Sequence, residues 1–182
     1  MSTRRDVIRL LGSVCSIGAF SVDELLALGE RTHAELASPS RRAGFFDLHQ
    51  LQTVAAACDR ILPVTDTPGA LAAGCHRFAE KIVMDHYDAT RQQRFVAGLV
   101  DLDRRASMLR QQLFADLAAA DRDTVLRATE AAAPTGASFW RDLKYLTIYG
   151  YYTSRIGIED ELQTDFYPGR YDGCAPIAGG AN

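Results

Sequence analysis

The chain has 182 residues, of which 47% are hydrophobic and 24% are charged, and its net charge is −3. This length suits one domain with a substantial core, and this composition excludes wholesale disorder. The basic pairs at residues 41–42 and 104–105 stand among acidic residues rather than in a basic stripe, so nucleic-acid binding is not expected. No run of about 18 apolar residues occurs, so no ordinary transmembrane helix is predicted.

Near its start the chain has two arginines ahead of a short apolar stretch, in the segment STRRDVIRLLGSVCSIGAFSV. A positive segment followed by an apolar one is typical of an export leader, and twin arginines address the route that carries folded proteins. We therefore interpret Arg4 and Arg5 as a twin-arginine export signal and residues 1–34 as the leader. The alternative is an amphipathic helix, because Asp23 and Glu24 cut the apolar stretch short and no Ala-x-Ala cleavage site is present.

A polar linker, ELASPSRRAG, is predicted at residues 35–44, followed by a helical subunit domain at residues 45–182. Apolar residues at spacings of three and four predict five helices in this domain. The predicted helices cover residues 45–62, 67–87, 88–109, 120–132 and 138–157. No convincing strand pattern occurs, so the fold class is all-α: one small helical bundle with an irregular tail rich in Pro, Gly and Tyr.

Three helix ends have recognisable signals. Thr67 is expected to cap the second helix, with Pro68 at its first position, where the missing N–H costs nothing. Ser138 is expected to cap the last helix, and Gly157 to end it in the left-handed conformation.

The last predicted helix is apolar on nearly every side, and four of the seven tyrosines lie between residues 145 and 152. A helix that is apolar all round must be buried all round. It is therefore either the central helix of the bundle or is covered in part by another protein. Tyrosine, with its polar tip, favours interfaces.

Patterns for catalysis or metal binding are weak. Glu30 and His33 have a Glu-x-x-His spacing, but a di-iron bundle needs two such pairs and two further glutamates. Cys75 and His76 are adjacent, so on a helix their side chains point apart. Nucleophile-elbow, dinucleotide and haem-attachment motifs do not occur. The prediction is a non-catalytic chain without a cofactor, and the alternative is a free-standing metal-binding bundle or enzyme.

Three ordered segments carry a family resemblance: LPVTDTPGALAAGCHRFAEKIV, FWRDLKYLTIYGYYTSRIG and YPGRYDGC. Over about residues 48–177 the chain resembles the gluconate 2-dehydrogenase subunit 3 family. The resemblance implies a small accessory subunit of a large FAD-dependent sugar or polyol dehydrogenase of the glucose-methanol-choline class, often with a c-type cytochrome subunit that carries haem c. It also implies a twin-arginine leader that exports the leaderless partner, and a periplasmic complex associated with the inner membrane.

The tail, DFYPGRYDGCAPI and the residues after it, is predicted to dock onto this partner at residues 165–182. Prolines restrict its backbone, so ordering it costs little entropy. The alternative is a tail folded back over the chain's own aromatic helix. The predicted partner-binding residues are Tyr149, Tyr152, Phe166, Tyr167, Tyr171 and Cys174.

The cysteines offer two disulfide hypotheses, since an oxidising periplasm permits such bonds. Cys58 and Cys75 flank one turn and could pair, although a free buried Cys58 on the apolar stripe is the alternative. Cys174 is predicted to bond a cysteine of the catalytic subunit, while Cys15 lies in the predicted leader.

Overall fold

The computed structural model describes residues 21–38, 44–133 and 138–162. These residues form six α-helices, a 3₁₀ turn and a π-helical turn, and they contain no strand. The α-helices are α1 Val22–Ala37, α2 Leu48–Ile61, α3 Cys75–His86, α4 Ala89–Arg110, α5 Ala119–Ala132 and α6 Phe139–Thr153. The 3₁₀ turn is Phe114–Asp116, and the π turn is Gly157–Glu161. The all-α prediction is confirmed.

Side-chain caps fix several helix starts. Asp47 and Gln50 form a reciprocal capping box at α2, and Asp88 accepts from the Arg91 backbone N–H at α4. Ser138 caps α6 by accepting from the Arg141 backbone N–H, as predicted. Each cap satisfies a backbone donor that has no partner inside the helix.

The predicted cap at Thr67 is wrong. Helix α3 begins at Cys75, after Gly74 in the left-handed conformation with φ 70°. Residues 62–74, which we call loop 62–74, form a closed turn in which the Ala70 backbone N–H donates to the Leu62 carbonyl at 2.9 Å. The Thr67 hydroxyl is directed elsewhere, because it donates to Glu161 at 2.6 Å. A tertiary hydrogen bond has thus displaced the local capping pattern.

The predicted left-handed cap at Gly157 is also wrong, since α6 ends at Thr153 and Gly157 begins the π turn. The Ser154 hydroxyl accepts from the Gly157 backbone N–H at 3.1 Å and donates to the Tyr151 carbonyl at 2.6 Å. A Cβ at Gly157 would lie 2.1 Å from that carbonyl oxygen. Glycine is required here for close approach rather than for a positive φ.

Helix α6 is the central helix of the bundle. It packs against α1, α2, α3 and α4, and Leu143 and Leu146 are fully buried on it. Phe139 reaches α4 at Gly98, where a Cβ would lie 1.9 Å from the ring. Burial on four sides explains the apolar circumference of this helix, which was one of the two readings of its sequence.

The described part of the predicted leader is a packed helix. Helix α1 runs through the predicted boundary at residue 34 and takes up residues 35–37 of the predicted linker. It contacts α3 and α6, with Leu25 and Leu28 buried. Among the described residues, the folded bundle therefore begins ahead of residue 45.

Candidate partner interface

Two segments that are far apart in the sequence meet at one end of the bundle. The Tyr151 hydroxyl donates to the Pro68 carbonyl at 2.9 Å, and the Thr67 hydroxyl donates to the Glu161 carboxylate at 2.6 Å. These bonds join loop 62–74 to residues 151–162, and we call the two segments together the end surface.

The end surface exposes both apolar side chains and carboxylates. Val64 is 67% exposed and Leu71 is 47% exposed, although both belong to a tightly bonded loop. The two segments of the end surface also carry four exposed carboxylates: Asp66, Glu159, Asp160 and Glu161. Single exposed apolar residues are ordinary, but two on one ordered loop, on the same end surface as half-buried Tyr152, offer a preformed contact area.

The tyrosines of this surface remain protonated hydroxyls. Burial raises the pKa of Tyr151 above its usual value, against the opposing effect of the Thr67 hydrogen bond. Burial likewise raises the pKa of Tyr152, and the Glu161 carboxylate adds to the shift. The two rings meet edge to face, with centroids 5.4 Å apart. At neutral pH both hydroxyls therefore stay uncharged.

His33, which belongs to the Glu-x-x-His spacing, packs inside the bundle. Its Nε2 donates to the Gly150 carbonyl at 2.9 Å, and its ring stacks on Phe78 at 4.8 Å. Burial lowers the pKa of His33, so the ring is neutral at pH 7. Within residues 21–38, 44–133 and 138–162, no group of three or more His, Cys, Asp or Glu side chains is placed to hold a metal ion.

A small cleft of about 200 Å³ lies between α2, α5 and α6. Arg60 donates to Asp123 at 2.7 Å, and Lys144 pairs with Glu130 at 3.0 Å while lying 5.7 Å from the Trp140 ring centroid. These charges are paired with one another inside the cleft. The arrangement joins three helices and presents no converging set of reactive groups.

A comparison with known protein families identifies most of the described bundle. The family model described as gluconate 2-dehydrogenase subunit 3 matches residues 48–169. The chain belongs to the gluconate 2-dehydrogenase subunit 3 family. The match spans α2 through the π turn, and so includes the whole end surface. No curated protein and no solved structure matches the chain.

Membership of this family identifies a subunit of a dehydrogenase complex, as predicted. In the described part of this subunit, no helix combines the length and apolar character needed to cross a bilayer. Some of the predicted functional residues lie outside the described residues: Arg4 and Arg5 of the predicted export signal, and Phe166, Tyr167, Tyr171 and Cys174 of the predicted docking tail.

Of the two predicted partner-binding tyrosines on α6, one is a core residue. Tyr149 is only 2% exposed; its hydroxyl donates to the Leu25 carbonyl, and its ring meets Phe78 edge on. Its prediction as a partner contact is corrected, because this chain's own α1 and α3 already enclose it. Tyr152 is half-buried and lies on the end surface.

Cys58 and Cys75 are both free thiols and both buried, so the buried-cysteine alternative holds in place of the bridge. The Cys58 thiol lies 3.2 Å from the Thr147 hydroxyl oxygen, which itself donates to the Leu143 carbonyl. Burial raises the pKa of Cys58 to about 12 and raises that of Cys75 as well. Neither thiol is activated for chemistry.

Sequence reasoning missed the roles of Thr67, Pro68 and Glu161 in building the end surface. The first two had been assigned to a helix start, and Glu161 carried no assignment. The available signal was the cluster of Pro63, Pro68 and Gly69 between two predicted helices, because loops of this kind often carry binding surfaces.

Proposed function

We propose that this chain is a non-catalytic small subunit that stabilises and co-exports a FAD-dependent sugar or polyol dehydrogenase of the glucose-methanol-choline class. The observation that carries the proposal is the end surface, where loop 62–74 and residues 151–162 are held together by the Tyr151–Pro68 and Thr67–Glu161 hydrogen bonds. The residues most specific to the family thus build a rigid surface and leave its apolar side chains outward.

The end surface is suited to a protein partner. Val64 and Leu71 supply exposed apolar area, and Tyr152 supplies an aromatic face with a polar tip. Because hydrogen bonds already order the loop, little conformational entropy is lost when it docks. The docking tail predicted at 165–182 begins just beyond Leu162, so tail and end surface can engage one neighbour together.

In this proposal the redox chemistry belongs to the other subunits. FAD is held by the large dehydrogenase subunit, and haem c is held by a c-type cytochrome subunit where one is present. Arg4 and Arg5 direct the folded pair through the twin-arginine route, which places the complex in the periplasm, associated with the inner membrane. The described residues of this chain contribute packing and surface.

Co-purification from the native cell tests the proposal. The tagged chain is expected to bring down a large yellow subunit with sugar- or polyol-oxidising activity. Val64→Asp and Leu71→Asp should lower the yield of that subunit by at least about tenfold, since each places a charge in a desolvated contact. Val100→Asp is the matched control, because Val100 is 61% exposed on α4, outside the end surface. Equal losses in all three variants would contradict the end surface as the dock.

Two further arms address the tail. Removal of residues 165–182 should lower association with the large subunit while leaving helicity unchanged, and lost helicity would show instead that the tail belongs to the core. Non-reducing electrophoresis of the native complex should give a band at the summed mass if Cys174 bonds the partner. If the isolated chain bound a metal ion stoichiometrically or turned over a substrate, the accessory role would be refuted.

A further inference from the structure

Helix α1 has a defined start. The Ser21 backbone N–H donates to the Glu24 carboxylate at 2.6 Å, and the Glu24 backbone N–H donates to the Ser21 hydroxyl at 3.3 Å. This capping box satisfies donors at the first turn. Asp23 and Glu24 also place negative charge at the positive end of the helix dipole. The two acids that interrupt the apolar stretch of the leader are thus the natural first turn of a packed helix.

The inner face of α1 fits closely against the central helix. At Gly29 a Cβ would lie 2.6 Å from the Thr153 side chain, so the backbone of α1 approaches that side chain as only glycine allows. Leu25 and Leu28 are buried beside it. The contact between α1 and α6 therefore depends on a glycine at position 29.

Two polar groups of α6 are satisfied by α1. The buried Tyr149 hydroxyl donates to the Leu25 carbonyl, and the Gly150 carbonyl accepts from His33. Without α1, the buried Tyr149 hydroxyl would lose the Leu25 carbonyl as an acceptor, and the loss of a hydrogen-bond partner by a buried polar group is costly. The stacked pair His33–Phe78 would also be lost.

We propose that α1 is a permanent helix of the mature subunit, and that the export address ends ahead of Ser21, so that any peptidase cut falls at or before that residue. The position of the cut rests on the proposed export function, whereas the packing of α1 in the folded subunit does not. A cut at residue 34, the predicted end of the leader, would remove the helix that closes one face of the core. The twin-arginine route suits this arrangement because the folded subunit can carry α1 already docked.

The intact mass of the subunit, purified from native cells, tests the proposal directly. The expected N-terminus is Ser21 or an earlier residue. An N-terminus at Val22 or later overturns the proposal. The proposal for α1 does not depend on the compartment that contains the protein. A cytoplasmic, uncleaved subunit would contradict the export function and would still support a retained α1.

Truncations expressed in the cytoplasm give a second test. A chain lacking residues 2–20 should melt within about 2 °C of the full chain, whereas one lacking residues 2–37 should melt at least about 10 °C lower or fail to fold. Equal melting of the two truncations overturns the proposal, because it would mean that α1 adds nothing to the folded body.

A point substitution separates packing from length. Gly29→Val should lower the melting temperature by about 4 °C or more, because the new side chain overlaps Thr153. Ala27→Val is the matched control, since Ala27 is exposed on the same helix and the change adds the same β-branched residue. Equal melting of the two variants refutes the α1–α6 contact. If the full chain captures no dehydrogenase, the proposed function fails while these melting results still decide the role of α1.

Discussion

Two aspartates of this chain each pair with two arginines of α4, and they differ in burial. On α6, Asp142 has a side chain only 4% exposed and bonds Arg91 at 2.6 Å and Arg94 at 3.4 Å. On α4 itself, Asp101 is 33% exposed and bonds Arg104 and Arg105. Because each aspartate has two arginine partners, a comparison of the two tests whether burial decides how much such pairs contribute to the free energy of unfolding.

Replacement of Asp142 by Ala should be strongly destabilising. Breaking a buried pair leaves uncompensated charge and costs about 3–5 kcal/mol. The cost should lie near the lower end, about 3 kcal/mol, because the Arg94 side chain is 37% exposed and can regain water. For a chain of this length, that loss corresponds to a melting temperature lower by about 6–12 °C.

Replacement of Asp101 by Ala should cost only about 0.2–1 kcal/mol, because exposed ion pairs contribute little. Urea denaturation followed by circular dichroism measures both free energies of unfolding under identical conditions. A loss at Asp142 no larger than the loss at Asp101 would refute the reasoning that burial controls these pairs. High salt should weaken the Asp101 contribution more than the Asp142 contribution, because buried pairs are screened less.

Three further predictions follow from the thiols, the buried histidine and the leader. Because burial raises the pKa of Cys58 and of Cys75, neither should react with a thiol reagent at pH 7 in a variant whose other two cysteines are serine, and rapid labelling of the folded chain would contradict their burial. Since the folded-state pKa of His33 lies below its ordinary value of 6.5, the unfolded state binds more protons, so stability should fall as pH drops from about 6.5; a His33→Gln variant should show a flatter profile over pH 5–7, and an unchanged slope would count against it. Replacing Arg4 and Arg5 by lysine should leave the subunit and the dehydrogenase activity in the cytoplasm, as fractionation would show, whereas periplasmic activity would end the escort hypothesis.

Local signals predicted much of the fold because they act through nearby atoms. Ser138 caps α6, and the apolar spacing located α2, α4 and α5 to within a few residues. These features depend on hydrogen bonds and side-chain contacts within one helix turn. The burial of the aromatic helix was also predicted, because a helix that is apolar on all sides must be covered on all sides.

The failures arose where distant residues decide the outcome. Thr67 and Pro68 have the pattern of a helix start, yet Glu161 takes the Thr67 hydroxyl and Tyr151 takes the Pro68 carbonyl as acceptor. The assignment of residues 1–34 to a leader stays a prediction, because a weakly apolar amphipathic stretch after two arginines fits both a leader and a packed helix. What the sequence did not indicate is that residues 22–37 contact α3 and α6.

Packing also changes which side chains can bind a partner. Composition alone treats Tyr149 and Tyr152 alike, as aromatic residues three apart on one helix. Since α1 and α3 enclose Tyr149, the aromatic content of α6 mostly builds the core of this chain. The outward apolar residues of the end surface instead come from loop 62–74, at Val64 and Leu71. In the proposed complex the partner contacts loop 62–74, which α6 holds in place through the Tyr151–Pro68 hydrogen bond, so substitutions deep in α6 should weaken docking only by loosening that loop.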